Sequence, residues 1–139
     1  SINDFFWKYM TKIESLEQFL CMMSLTFEAA NLDFSLYYFD CYQEFDDEQS
    51  AKIMKTVYED EISHVALGSH WLNLKAQNQS KSLWKYYLEN LPNGLSPARG
   101  KGIHFDVNGR KRAGLDHDFL KNSENYKDQF NVVNRSSWS

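Results

Sequence analysis

The sequence predicts an all-α fold with a loop-rich C-terminal extension, on two observations. Apolar residues recur at spacings of three and four through most of residues 1–91, as on the buried side of helices. Both prolines and five of the six glycines lie after Leu91, so we expect regular helix before that point and mainly loops after it. Residues 1–91 should therefore form a helical core, and residues 92–139 a loop-rich, basic extension of the same domain.

The first helices follow from periodicity and capping residues. Residues 4–30 contain no Gly or Pro and predict one long helix or two abutting ones. Residues 31–33 resemble a stop followed by an N-cap, so the next helix is expected over residues 34–45. Asp46 should begin the third helix, because Gln49 follows three residues later as in a capping box.

The third helix is the clearest element of the sequence. It is expected over residues 48–76, where a seam steps by four and three residues through Met54, Tyr58, Glu61, Val65, Gly68 and Leu72. Ser80 should cap a short helix that ends near Pro92, and one helical turn is expected over residues 115–121.

Composition bounds the class of protein. The 139 residues, 42% of them hydrophobic, suit a single globular domain. No stretch approaches the roughly 18 apolar residues of a membrane span, and no leader pattern follows Ser1. Cys21 and Cys41 lack metal-like spacing and are expected to be buried free thiols, which favours a cytoplasmic location.

Two glutamates lie on apolar helix faces and call for an explanation. Glu28 is the single charge between positions 19 and 30, and Glu61 lies within the seam with His64 three residues later. A buried carboxylate is costly unless it is protonated, paired or bound to a cation. Bundles of the ferritin-like class hold two metal ions with lone glutamates and Glu-x-x-His pairs. An ion pair or cap for Glu28 and a core histidine at His64 are the alternatives.

Three motifs resemble a ferritin-like family of unassigned function. They are residues 27–33 (FEAANLD), 58–65 (YEDEISHV) and 68–71 (GSHW), and residues 96–120 are similar to that family's Arg- and Asn-rich tail. The family is related to the di-iron hydroxylase that modifies an adenosine in tRNA. The resemblance implies a ferritin-like helical bundle with a non-haem di-iron centre, although Asn31 stands where that family usually has Gly.

The resemblance also implies roles for individual residues. Glu61 would bridge two metal ions, while Glu28 and His64 would each bind one; carboxylate and imidazole ligands suit iron or manganese. The expected function is that of a di-metal oxidoreductase or hydroxylase with an unknown substrate. Asp60 and Tyr58 are candidates for supporting hydrogen bonds, with a surface acid and a core tyrosine as the simpler interpretations. No catalytic role is predicted for His70 or Trp71.

The predicted metal site is only half of a di-metal bundle. The family's other Glu and Glu-x-x-His have no counterpart in this sequence, which resembles the family's C-terminal half. A homodimer or a missing N-terminal half should supply the remaining ligands. The alternative is a metal-free helical module for dimerisation or protein interaction.

A basic segment follows the predicted helical core, whose residues 1–91 hold 7 Lys and Arg against 14 Asp and Glu. One interpretation is contact with tRNA phosphates. The other is a loop that packs across the acidic helices. The basic residues are Arg99, Lys101, Arg110, Lys111 and Arg112.

Overall fold

The computed structural model describes residues 2–127 and, within them, the side chains of all positions except 2, 3 and 5. Over this range the chain is helical and has no strand, which confirms the all-α prediction. None of these helices is both long and apolar enough to cross a membrane. The elements are α1 (Ile2–Met10), α2 (Leu16–Met22), a π-helical segment (Met23–Phe27), α3 (Glu28–Glu44), α4 (Glu48–Asn78), α5 (Leu83–Asn90), a 3-10 turn (Pro97–Gly100), α6 (Val107–Arg112) and α7 (His117–Asn125).

Two long antiparallel rods form the centre of the fold. The first consists of α2, the π segment and α3, which follow one another without interruption, and the second is α4. Lys75 near the end of α4 lies 3.7 Å from Glu17 in α2, whereas Glu61 in the middle of α4 meets Asn31 in α3, so the rods run in opposite directions. The buried side chains between and around them include Cys21, Leu25, Leu32, Val65 and Leu72.

Helix boundaries differ from the predicted ones where a polar side chain has another partner. The stop predicted at residues 31–33 is wrong, because α3 continues through it to Glu44. Asp33 does not cap a helix; it is buried and pairs with Arg110. The interruption lies earlier, at residues 11–15, where the Ser15 side chain accepts a hydrogen bond from the Gln18 amide and caps α2.

The caps of the following helices are also displaced from the predicted positions. Asp47, not Asp46, caps α4 by accepting from the Ser50 amide, while Asp46 has a φ of 56°. Ser82, not Ser80, caps α5 by accepting from the Lys85 amide. In both turns the residue predicted as the cap, Asp46 or Ser80, has a left-handed backbone and lies before the true cap. Hydrophobic periodicity cannot tell which of these nearby polar residues caps the helix.

The segment after Leu91 contains more helix than predicted. The expected turn near residues 115–121 is part of α7, and α6 is an additional helix of six residues, too short to show a periodic pattern. The segment is also not confined to the surface. It contributes buried side chains to the core formed by the earlier helices, among them Ala113, Leu115, Phe119 and Leu120.

A buried ion pair fastens this segment to α3. Arg110 Nη1 and Nη2 donate to the two carboxylate oxygens of Asp33 at 2.6 and 2.9 Å, and both side chains are 1% exposed. The guanidinium also donates to the carbonyls of Ala29, Gly100 and Asp106. Because both terminal nitrogens of the guanidinium donate to acceptors of the protein, the two buried charges are compensated without water.

The two cysteines are free thiols, as predicted. Cys21 is fully buried, and desolvation raises the pKa of its thiol to about 12. Cys41 is only partly buried. The Cys21 thiol is therefore a small core side chain without nucleophilic reactivity near neutral pH.

Removing Arg110 should be far more costly than removing a neighbouring arginine. Arg110→Ala leaves Asp33 charged and buried, and we expect it to lower the free energy of unfolding by about 3–5 kcal/mol. Arg112→Ala breaks an exposed pair with Glu59 and should cost less than about 1 kcal/mol. Urea denaturation of both variants measures the difference. Equal losses would contradict the assigned role of the buried pair.

Candidate metal centre

The three predicted metal ligands lie together. Glu28 is the first residue of α3, directly after the π segment, and Glu61 and His64 lie one turn apart on α4. Antiparallel packing of the two rods brings the start of α3 close to the middle of α4. The potential ligand atoms of all three side chains lie within 4.8 Å of one another, and within residues 2–127 no other such group of three occurs.

Within the group, Glu61 contacts His64 and is also bonded by Asn31 of α3. One of its carboxylate oxygens, Oε1, lies 3.1 Å from His64 Nδ1, and the other accepts a hydrogen bond from Asn31 Nδ2 at 3.3 Å. His64 Nδ1 also lies 3.8 Å from Glu28 Oε1. The imidazole therefore lies beside both carboxylates, as a shared metal ion or a shared proton would require.

The two carboxylates are less exposed than the histidine. The exposed fractions of the side chains are 22% for Glu28, 13% for Glu61 and 53% for His64. Burial raises the pKa of Glu28, and the nearby charge of Glu61 raises it further, while His64 and a hydrogen bond from Ser24 act in the opposite direction. Without a cation, the charged form of Glu28 is thus disfavoured in the folded chain.

The residues present fit a metal ion. Two carboxylates and one imidazole form a donor set suited to iron, manganese or zinc. The separations allow the donor atoms to reach one ion at about 2.0–2.3 Å each after small side-chain rotations. Three protein ligands leave coordination positions open, so the arrangement can hold an ion and still admit further ligands.

The face that carries the group is apolar and uncovered. By helical spacing, the neighbours of the candidate ligands on α3 and α4 point to the same side. These neighbours are exposed, and they include Tyr38, Val57, Leu67 and Trp71. An apolar surface of this kind, with a polar group in the middle, is typical of an interface with other helices.

The other candidates of the sequence are not part of this group. Tyr58 is buried and donates to Asp106 Oδ2 at 2.5 Å, so it supports α6 and not a candidate ligand. That hydrogen bond, together with desolvation, raises the pKa of Tyr58. Asp60, His70 and Trp71 are exposed.

The basic segment makes intramolecular contacts with the acidic helices. Arg110 is buried against Asp33, and Arg112 donates to both carboxylate oxygens of Glu59. The Lys101 ammonium donates to the carbonyls of Glu124 and Tyr126. The two arginine contacts support the interpretation that the segment packs across the acidic helices, whereas the Lys101 contacts lie within residues 92–139.

Two features of the site were not predicted. The first is the hydrogen bond that Asn31 donates to Glu61. Asn31 lies three residues after Glu28 on the same helix face, and this spacing could have indicated the contact. The π segment before Glu28 was not predicted either. The sequence gives no sign of this segment, because five residues are too few to show a hydrophobic periodicity of their own.

The described fold and site can be compared with known proteins. A family described as "Protein of unknown function (DUF455)" matches residues 1–121, and the chain belongs to this family. The predicted membership of a family without assigned function is thereby confirmed. No curated protein and no solved structure matches the chain.

Neutralising Glu28 should stabilise the metal-free chain. A carboxyl group whose pKa is raised by folding disfavours the folded state once it ionises, so this penalty grows as the pH rises through that pKa. At pH 7, in the presence of a chelator, Glu28→Gln should raise the free energy of unfolding by about 0.5–1 kcal/mol. Asp60→Asn, at an exposed neighbour of Glu61, should change it little. A loss of stability in Glu28→Gln would instead mark Glu28 and His64 as a structural ion pair.

Proposed function

We propose that the chain provides one half of a ferritin-like di-metal centre and that the complete protein is an oxidoreductase or hydroxylase dependent on iron or manganese. The convergence of Glu28, Glu61 and His64 on an uncovered helix face carries the proposal. The family match does not decide the matter, because the function of that family is unknown.

The side chains of this chain would hold and orient the ions. Glu61 contacts His64 through one carboxylate oxygen, and His64 also lies beside Glu28. As the family resemblance implies, Glu61 would bind both ions, and Glu28 and His64 would each bind one. Asn31 restrains the Glu61 carboxylate by its hydrogen bond, and Ser24 does the same for Glu28. A bound pair of reduced ions would supply activation of dioxygen.

The proposal requires a second helix pair on the uncovered face. Three ligands account for half of the set that a four-helix di-metal bundle uses. A second copy related by a two-fold axis would contribute an identical set and cover the exposed apolar side chains; a missing N-terminal half of the protein would do so equally. Either source would also exclude water from the centre.

The competing function is that of a metal-free helical module. In that case the same apolar face binds a partner protein, and His64 pairs directly with Glu28 and Glu61. The arrangement of the charges favours the metal-binding proposal, because a single imidazole can compensate at most one of the two negative charges of Glu28 and Glu61.

The resemblance to relatives of the tRNA-modifying hydroxylase does not imply the same substrate, and contact with tRNA is a separate proposal. Such contact would involve the phosphates of the tRNA backbone, and Lys111 is an exposed basic side chain that could bind one. A tRNA contact and a cytoplasmic location stay predictions of the sequence.

Native mass spectrometry tests the metal and the subunit count together. After loading with Mn²⁺ under reducing conditions, the wild-type chain should retain manganese, and Glu61→Ala should weaken retention at least tenfold. His70→Ala, an exposed histidine of the same helix, should retain it as the wild type does. Two chains with two ions would identify a second copy as the other half, and one chain with one ion would favour another segment. A metal-free wild type, or equal retention in Glu61→Ala, would contradict the proposal.

A further inference from the structure

The π segment directly before Glu28 determines where that side chain points. The Glu28 amide donates to the carbonyl of Met23, five residues earlier, instead of the usual four. An α-helix turns by about 100° per residue, so the additional residue in this turn rotates everything after it by about that angle relative to α2. This one turn therefore determines the direction of the ligand side of α3 relative to the buried side of α2.

The π segment is enclosed by three other parts of the fold. A Cβ at Gly68 of α4 would lie 2.2 Å from Ser24 Cβ, so glycine is needed there for the close approach of the rods. A Cβ at Gly100 would lie 3.3 Å from the Leu25 carbonyl oxygen. From α5, the Tyr87 hydroxyl reaches Thr26.

Two buried hydroxyl groups stabilise the widened turn itself. Thr26 Oγ1 donates to the carbonyl of Cys21 at 2.8 Å, five residues earlier, and lies 2.7 Å from the Tyr87 hydroxyl. Since Thr26 has a single hydroxyl proton, Tyr87 is the donor in the second contact. Both side chains are almost fully buried, so an unpaired hydroxyl here would be costly. The pair thus favours the π turn over an α turn.

We propose that Thr26 and Tyr87 are positioning residues for the metal centre, because they hold the π turn that directs Glu28 toward Glu61 and His64. This inference rests on the proposed function. Neither side chain touches the candidate ligands of α4, and their effect passes through the backbone of residues 23–28. No feature of the sequence motifs assigns a role to Tyr87.

Isosteric variants separate this role from simple packing. Thr26→Val and Tyr87→Phe each remove one hydroxyl and retain the shape of the side chain, whereas Thr26→Ser retains the hydroxyl. Tyr86→Phe, at a buried tyrosine of the same helix, serves as the control. Thermal unfolding of the variants establishes that each is folded.

Two measurements on these variants test the proposal. NMR couplings across hydrogen bonds report, without metal, whether the Glu28 amide bonds to the carbonyl of Met23 or of Ser24. Co²⁺ titration, followed by the visible absorption of the bound ion, reports the affinity and geometry of the centre. We expect Thr26→Val and Tyr87→Phe to transfer the coupling to Ser24, to alter the Co²⁺ spectrum and to weaken binding roughly tenfold. Thr26→Ser and Tyr86→Phe should resemble the wild type.

Three results would contradict the positioning role, and only one of them would also contradict the proposed metal function. If Thr26→Val and Tyr87→Phe bind Co²⁺ with wild-type affinity and spectrum, the positioning role is wrong, whatever the coupling shows. If the wild-type chain itself binds no Co²⁺, the proposed metal function fails and the positioning role fails with it. A π turn that persists in both variants would also overturn the assignment.

Discussion

The buried ion pair between Asp33 and Arg110 is the interaction on which the rest of the structure depends. It joins α3 to α6, and the same guanidinium also donates to carbonyls of α3, of the 3-10 turn and of the residue that caps α6. Asp33 also accepts hydrogen bonds from the amides of Gly102 and Asp106. One carboxylate therefore organises the whole connection between Gly100 and Arg110.

This interaction links the C-terminal segment to the candidate site. Arg110 binds the carbonyl of Ala29, the residue next to Glu28, from the core side of α3. The opposite side of the same helical turn presents Glu28 and Asn31 to α4. Because the core side is fixed by a fully buried pair, the ligand side has a defined position, as a binding site requires. The C-terminal segment thus supports the candidate site, which lies in the first half of the chain.

Much of the site was predictable from the sequence, whereas its support was not. Glu61 and His64 could be placed on one face because three-residue spacing in a long helix fixes their geometry. Glu28 could be joined to them because a lone charge in an apolar helix needs a partner. Asp33 was misinterpreted as a cap, since its true partner lies 77 residues away and no local pattern encodes that contact. The π turn escaped prediction for a related reason: it is stabilised by Tyr87, which belongs to another helix.

The central claim is that Glu28, Glu61 and His64 bind a metal ion. The most direct test is the anomalous diffraction of crystals grown with Mn²⁺ under reducing conditions. The claim predicts an anomalous peak among the three side chains, with carboxylate oxygens and an imidazole nitrogen at about 2.0–2.3 Å from it. A structure without that peak, in which His64 pairs directly with both carboxylates, would contradict the claim and support the metal-free module.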